Sequence, residues 1–146
     1  MRYREKEKYE ILLIEDNSGD ILLTRAAFDE INCHHNLHEA VDGEDALNFI
    51  FKRANHTNAV TPDLILLDLN LPKIDGKEVL KEIKDSEELR KIPVVILTTS
   101  QSESDIRACY DLYANCYISK PVDFDDFVEK IDFIITFWTK KIKLPV

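Results

Sequence analysis

Short apolar runs alternate with amphipathic stretches along most of the chain. Tyr9–Ile14 (YEILLI) is apolar and compatible with β structure, and reads as a strand buried on both faces. Residues 20–31 follow as a helix with Ile21, Leu22, Ala26 and Phe28 among its apolar positions. Residues 37–41 form a short second strand, broken by Asp42-Gly43, and residues 44–53 a second helix with Ala46, Leu47, Phe49 and Ile50 inward. After a polar loop over 54–61, PDLILL (62–67) is a third buried strand ending at Asp68. Asp75 is placed to cap a third helix carrying Val79, Leu80 and Ile83. PVVIL (93–97) is the fourth strand, 103–113 a weakly apolar helix, 116–119 the fifth strand, and 123–141 a long final helix. In that last helix Phe124, Phe127, Val128, Ile131, Ile134, Ile135 and Trp138 follow one stripe toward the sheet, with Phe133 and Phe137 partly off it.

Five β/α units in alternation predict an α/β fold: a parallel sheet with helices on both faces, joined by right-handed crossovers. Ligand sites in such sheets lie beyond the carboxyl ends of the strands. Those ends carry Glu15-Asp16, Asp68 followed by Leu69-Asn70, Thr98-Thr99, and Ser119-Lys120-Pro121. Three carboxylates, a hydroxyl and an ammonium are thereby directed to one crevice. Like charges about 4 Å apart cost ~4 kcal/mol per pair at an effective dielectric near 20, so the cluster implies a cation. Hard oxygen donors suit Mg²⁺. A lysine and a threonine hydroxyl beside it suit a phosphoryl group, for which an aspartate can be the nucleophile.

Charge changes the picture little. The 146 residues carry 28 acidic against 19 basic side chains, a net −9, which argues against nucleic acid or an anionic membrane as a partner. The N-terminal residues alternate charges without an apolar signal core, and no apolar run approaches a membrane span. Three scattered cysteines make no disulfide framework, so a cytoplasmic setting is expected. Cys33 beside His34 and His35 lacks a partner pair at metal-ligand spacing and reads as a surface turn or strand edge.

Glu15-Asp16 after strand one, Asp68 within DLILLDLNLPKIDG, Thr98 within PVVILTTS, and Lys120-Pro121 within YISKP occur in order. On these motifs the chain resembles the receiver domain of two-component response regulators. The resemblance implies a flavodoxin-like strand order of 2-1-3-4-5 and an Mg²⁺-dependent switch fed by a sensor histidine kinase. Asp68 would accept the phosphoryl group. Asp16 and Asp68 would bind Mg²⁺ directly, with the Asn70 backbone carbonyl as a third ligand and Glu15 acting through a metal-bound water. Lys120 would pair with Asp68 and then with the phosphoryl oxygens. Thr98 would move to the phosphoryl group and Tyr117 would swing inward behind it. A cis Lys120–Pro121 bond is also implied.

The expected organisation is an N-terminal extension over 1–8, a receiver over 9–141 with an extended final helix, and a tail over 142–146, with no output domain. Phe133 and Phe137, with Ile142 and Leu144 beyond, suggest a homodimer or partner contact. The ending FWTKKIKLP and the loop over 52–61 resemble regulators that partner bacterial phytochromes. Two rivals are an aspartyl-phosphate phosphohydrolase, which would carry a second acid where Asn70 stands, and a phosphorylation-independent interaction module. A flavin protein of similar fold is disfavoured, since Glu15-Asp16 would repel the cofactor phosphate.

Overall fold

The computed structural model describes residues 8–141. Strands β1 (Tyr9–Ile14), β2 (His35–Ala40), β3 (Leu64–Leu67), β4 (Val94–Thr98) and β5 (Cys116–Ser119) form one parallel sheet in the order β2-β1-β3-β4-β5. Helices α1 (Ser18–Glu30), α2 (Gly43–Ile50), α3 (Gly76–Asp85), α4 (Glu103–Asp111) and α5 (Phe124–Thr136) connect or follow the strands.

The strands alternate their side chains between two cores. Ile11, Leu13, Leu64, Leu66, Val95 and Leu97 face α1 and α5. Leu12, Ile14, Ile65, Leu67, Val94 and Ile96 face α2, α3 and α4. Each of these side chains is essentially inaccessible, and burying each contributes about 1.5–3 kcal/mol. The unbroken apolar runs of β1, β3 and β4 are therefore what a sheet covered on both faces requires.

Differences from the sequence reading have local causes. β2 starts at His35 because Tyr9 and Glu10 pair with His35 and Asn36, and as an edge strand it tolerates polar residues. α1 begins at Ser18, capped by the Asn17 side chain, which accepts from the Asp20 N–H. Its inward face is Thr24, Ala27 and Phe28, whereas Leu22 is 68% exposed. α2 ends at Ile50, and a short 3-10 turn (Ala54–His56) follows, with left-handed backbone at Lys52 before it and at Ala54, its first residue. α5 turns π-helical over Phe137–Lys141. Phe124 is exposed rather than inward, while Phe127, Ile131, Ile134 and Ile135 are buried and Val128 and Trp138 pack at the edge. Lys120–Pro121 is trans, as are all peptide bonds among the described residues, the isomer that X–Pro bonds favour by about 0.5–1 kcal/mol. Ile142 and Leu144 lie outside the described residues.

At the end of the sheet where the strands begin, Lys84 of α3 donates from Nζ to the carbonyls of Arg90 and Ile92 and to Asn115 Oδ1, each at 2.9 Å. Asn115 Oδ1 also accepts the Val94 N–H. None of these acceptors is charged, and burial pushes the Lys84 ammonium down to about 8. Between that value and the ordinary 10.5, the unfolded chain holds a proton that the folded protein has released. Stability from this group therefore rises with pH through that window and is lost as pH falls through about 8. Urea unfolding of the protein and its Lys84→Met variant should show the difference shifting by about 1 kcal/mol in favour of the parent between about pH 7.5 and 10. A difference independent of pH would refute the assignment.

Candidate functional site at the carboxyl ends of the strands

β1 and β3 are central strands, so the residues that follow them emerge side by side at one end of the sheet. The Glu15 N–H extends the ladder to Ala40 O (3.0 Å) and the Asp68 N–H to Ile14 O (3.0 Å). The main chain thus sets both carboxylates at the crevice mouth. Glu15 and Asp68 are 2% and 7% exposed, and Asp16, one residue later, is turned to solvent. One carboxylate oxygen from each of the three lies within 4.8 Å of the others.

Lys120, just past β5, reaches across the sheet into this cluster. Its Nζ donates to Glu15 Oε2 (2.5 Å), Asp68 Oδ2 (3.0 Å) and Asp20 Oδ2 (3.0 Å). The Lys120 N–H donates to Thr98 O (2.8 Å), tying the chain after β5 to the end of β4. Burial, with the charge of Asp68 adding to it, pushes Glu15 up to about 7 against the pull of the Lys120 ammonium. Burial opposes the charge on Lys120, yet the Glu15 hydrogen bond and the Asp68 and Asp20 carboxylates hold the ammonium above the ordinary lysine range. Three carboxylates thus share one ammonium.

The remaining oxygens are held by the main chain. Glu15 Oε1 accepts from the Asn17 N–H (3.1 Å) and Asp68 Oδ1 from the Asn70 N–H (3.3 Å). Gly76, at the start of α3, sits against the Asp68–Leu69 backbone: a Cβ there would lie 2.4 Å from Asp68 O and 2.6 Å from Leu69 Cα. Only glycine admits the helix so close behind Asp68.

Thr98 is fully buried at the end of β4, and its Oγ1 accepts from the Ser100 N–H (3.4 Å). The Tyr117 hydroxyl, half-buried, donates to Ser100 O (2.9 Å). Ser100 Oγ donates to Asp105 Oδ2 (2.7 Å), whose other oxygen receives Lys77 Nζ (2.5 Å). A hydrogen-bonded chain therefore links Thr98 through the β4–α4 loop to Tyr117, α4 and α3. Glu15, Asp16, Asp68 and Lys120 are brought together as the strand-end rule expects, and Asn70 and Thr99 stand exposed beside them. Asp20, Ser100 and Asp105 were not expected from the sequence, because none ends a strand. Asp20 lies in the first turn of α1, where the helix dipole favours an acid, and no spacing in the sequence marks it as a partner of Lys120.

Cys33, His34 and His35 form no such cluster: among the described residues, Glu15, Asp16 and Asp68 are the one group whose donor atoms converge as a metal site requires. Carboxylate oxygens are hard donors, a fit for Mg²⁺ or Mn²⁺ and a poor one for soft-ligand metals.

The response regulator receiver domain family matches residues 11–132. This chain is a response regulator receiver. Response regulator Rcp1 from Synechocystis sp. is 42% identical over 135 residues, covering 92% of each chain. The crystal structure of its Mn²⁺-bound form superposes with a TM-score of 0.88 at 41% identity, over 94% of this chain and 99% of that one. The structure of the phosphorylated cyanobacterial phytochrome response regulator RcpA gives a TM-score of 0.91 at 42% identity, over 95% and 99%. As a receiver, the chain belongs to two-component signalling, and its strand order is that of the flavodoxin-like fold. No helix among the described residues is long and apolar enough to cross a membrane.

Proposed function

We propose that this receiver accepts a phosphoryl group on Asp68 from a phosphohistidine of a sensor histidine kinase, with a divalent cation held by Asp16, Asp68 and the Asn70 carbonyl, and with Glu15 behind them. The reading rests on one observation above all: a buried aspartate at the end of a central strand shares a lysine ammonium with a second buried acid, and a third, solvent-facing acid stands within 4.8 Å. An Asp68 carboxylate oxygen attacks phosphorus, the P–N bond to the donor imidazole breaks, and the imidazole leaves with the electron pair. Lys120, already on Asp68, is placed to follow the phosphoryl oxygens and neutralise charge that develops there. The cation, Mg²⁺ on the hardness of its donors, would supply further charge neutralisation and orientation.

Thr98 is the switch. Its hydroxyl turning to the phosphoryl group would release the Ser100 N–H, and the Tyr117–Ser100 bond carries that change to the surface around α4 and β5. Small acyl phosphates are accepted as donors too, and water slowly removes the group, so the protein is a phosphoacceptor rather than a turnover enzyme. The phosphohydrolase rival lacks its second acid, because Asn70 occupies that position. Incubation with Mg²⁺ and acetyl phosphate should add one phosphoryl group by intact mass, mapped to Asp68 and abolished by chelation. An unmodified protein would overturn the reading.

The receiver proper spans 9–141, works in the cytoplasm and is fed by a phytochrome-type kinase, a reading supported by the likeness to a phytochrome response regulator. A homodimer forms through the C-terminal helical region. Phe133 and Phe137 stack with centroids 6.2 Å apart while remaining exposed, and the Trp138 ring meets Phe137 edge-on. Sedimentation should show a reversible dimer that Phe133→Asp with Phe137→Asp converts to monomer. A parent protein monomeric at high micromolar concentration would refute it.

A further inference from the structure

A lysine ammonium has three N–H donors, and those of Lys120 meet three carboxylates: Glu15, Asp68 and Asp20. We propose that Asp20 is a positioning residue for Lys120, holding the ammonium over Asp68 when the two buried acids are drawn into the reaction. The inference rests on the phosphoacceptor reading above. In that reading Asp68 becomes an acyl phosphate and Glu15 is drawn toward the cation, whereas Asp20 is left unchanged by the chemistry.

The backbone of Asp20 is fixed on both sides. Its N–H donates to the Asn17 cap (2.9 Å) and its carbonyl accepts from Thr24 Oγ1 (2.7 Å), itself a buried residue. α1 therefore delivers the carboxylate to a defined place beside β1. An acid in a first helical turn is favoured by the helix dipole alone, but that preference does not bring it to a side chain 100 residues further along. The Asp20 side chain is 35% exposed where the Lys120 side chain is 9% exposed. Asp20 thus stands at the rim of the pocket, away from the Glu15–Asp68 centre, and is the partner of Lys120 that substitution disturbs least.

The test compares Asp20→Ala, Asp20→Asn and Asp20→Glu with the parent. Phosphoryl uptake from a fixed concentration of acetyl phosphate at saturating Mg²⁺ should fall about fivefold to tenfold in Asp20→Ala. It should fall less in Asp20→Asn, which keeps an oxygen acceptor, and should recover partly in Asp20→Glu. Mg²⁺ affinity should stay within about twofold, because Asp20 is not among the converging ligands. Independently, an unfolding cycle of Asp20→Ala, Lys120→Met and the double variant, without metal, should show about fivefold coupling in the unfolding constant. Uptake at the parental rate in Asp20→Ala, or additive effects in the cycle, would overturn the proposal. Should the parent itself take up no phosphoryl group, the phosphoacceptor reading fails with it, and the cycle still decides whether Asp20 holds Lys120.

Discussion

Replacing Lys120 with methionine is expected to lower the unfolding free energy of the metal-free protein by about 3 kcal/mol near neutral pH. Methionine keeps much of the apolar stem, so the loss reports on the ammonium. Without it, Glu15 and Asp68 face each other with almost no water, at 2% and 7% exposure. Removing one partner of a buried ion pair is costly because the other charge is left uncompensated. Two responses identify the cause. Glu15 is already raised to about 7 by burial, and in the variant it protonates more readily still. Its neutral form relieves the repulsion, so the deficit shrinks as pH falls from the alkaline side toward about 7 and levels off below it, where Glu15 is protonated in the parent as well. A divalent cation supplies the missing positive charge, and saturating Mg²⁺ at about 100 times its dissociation constant returns up to ~2.7 kcal/mol. The variant should therefore gain more from Mg²⁺ than the parent, whose lysine competes for the same oxygens. Urea unfolding with chelator and with Mg²⁺, at two pH values, measures all three effects. A deficit that ignores both pH and Mg²⁺ would mean that Lys120 acts through packing.

Much of this site is legible in the sequence because sheet topology does the assembling. Once β1, β3 and β4 are read as buried apolar runs and β5 as a short strand beside them, whatever follows each of them must emerge at one edge, and Glu15, Asp16, Asp68, Thr98 and Lys120 fall into place. β1 and β5 have the very bounds that the pattern predicts. What stays hidden is set by contacts between helices and loops. Leu22 reads as inward by hydrophobicity, but the packing of α1 turns Thr24 and Ala27 to the sheet instead, with the Thr24 hydroxyl satisfied within the helix. Asp20 and Asp105 reach their partners only when a helix start folds back over the strand ends, a placement that no periodicity encodes. Phe133 and Phe137, off the expected stripe, do lie outside the core.

Asp68→Asn is expected to abolish phosphoryl uptake, by at least about a thousandfold, since the amide oxygen is a far weaker nucleophile than a carboxylate. Structure should survive the change. The Asn70 N–H can donate to the asparagine Oδ1 as it does to Asp68, and the backbone bond from the residue 68 N–H to Ile14 O does not involve the side chain. Lys120 would keep Glu15 and Asp20. Because three carboxylates share that one ammonium in the parent, with Asp16 close by, removing one charge should leave the metal-free fold as stable as the parent, or more so by about 0.5–1 kcal/mol. Divalent-cation affinity should move the other way, falling about tenfold to a hundredfold as a charged oxygen donor becomes a neutral one. The combination of unchanged or raised stability, weakened metal binding and absent modification separates loss of the nucleophile from misfolding. Intact mass after acetyl phosphate, Mg²⁺ titration and urea unfolding of the same preparation measure the three. Phosphoryl uptake that persists in Asp68→Asn would move the acceptor to another residue, and Asp16, exposed beside it, would be the first to examine.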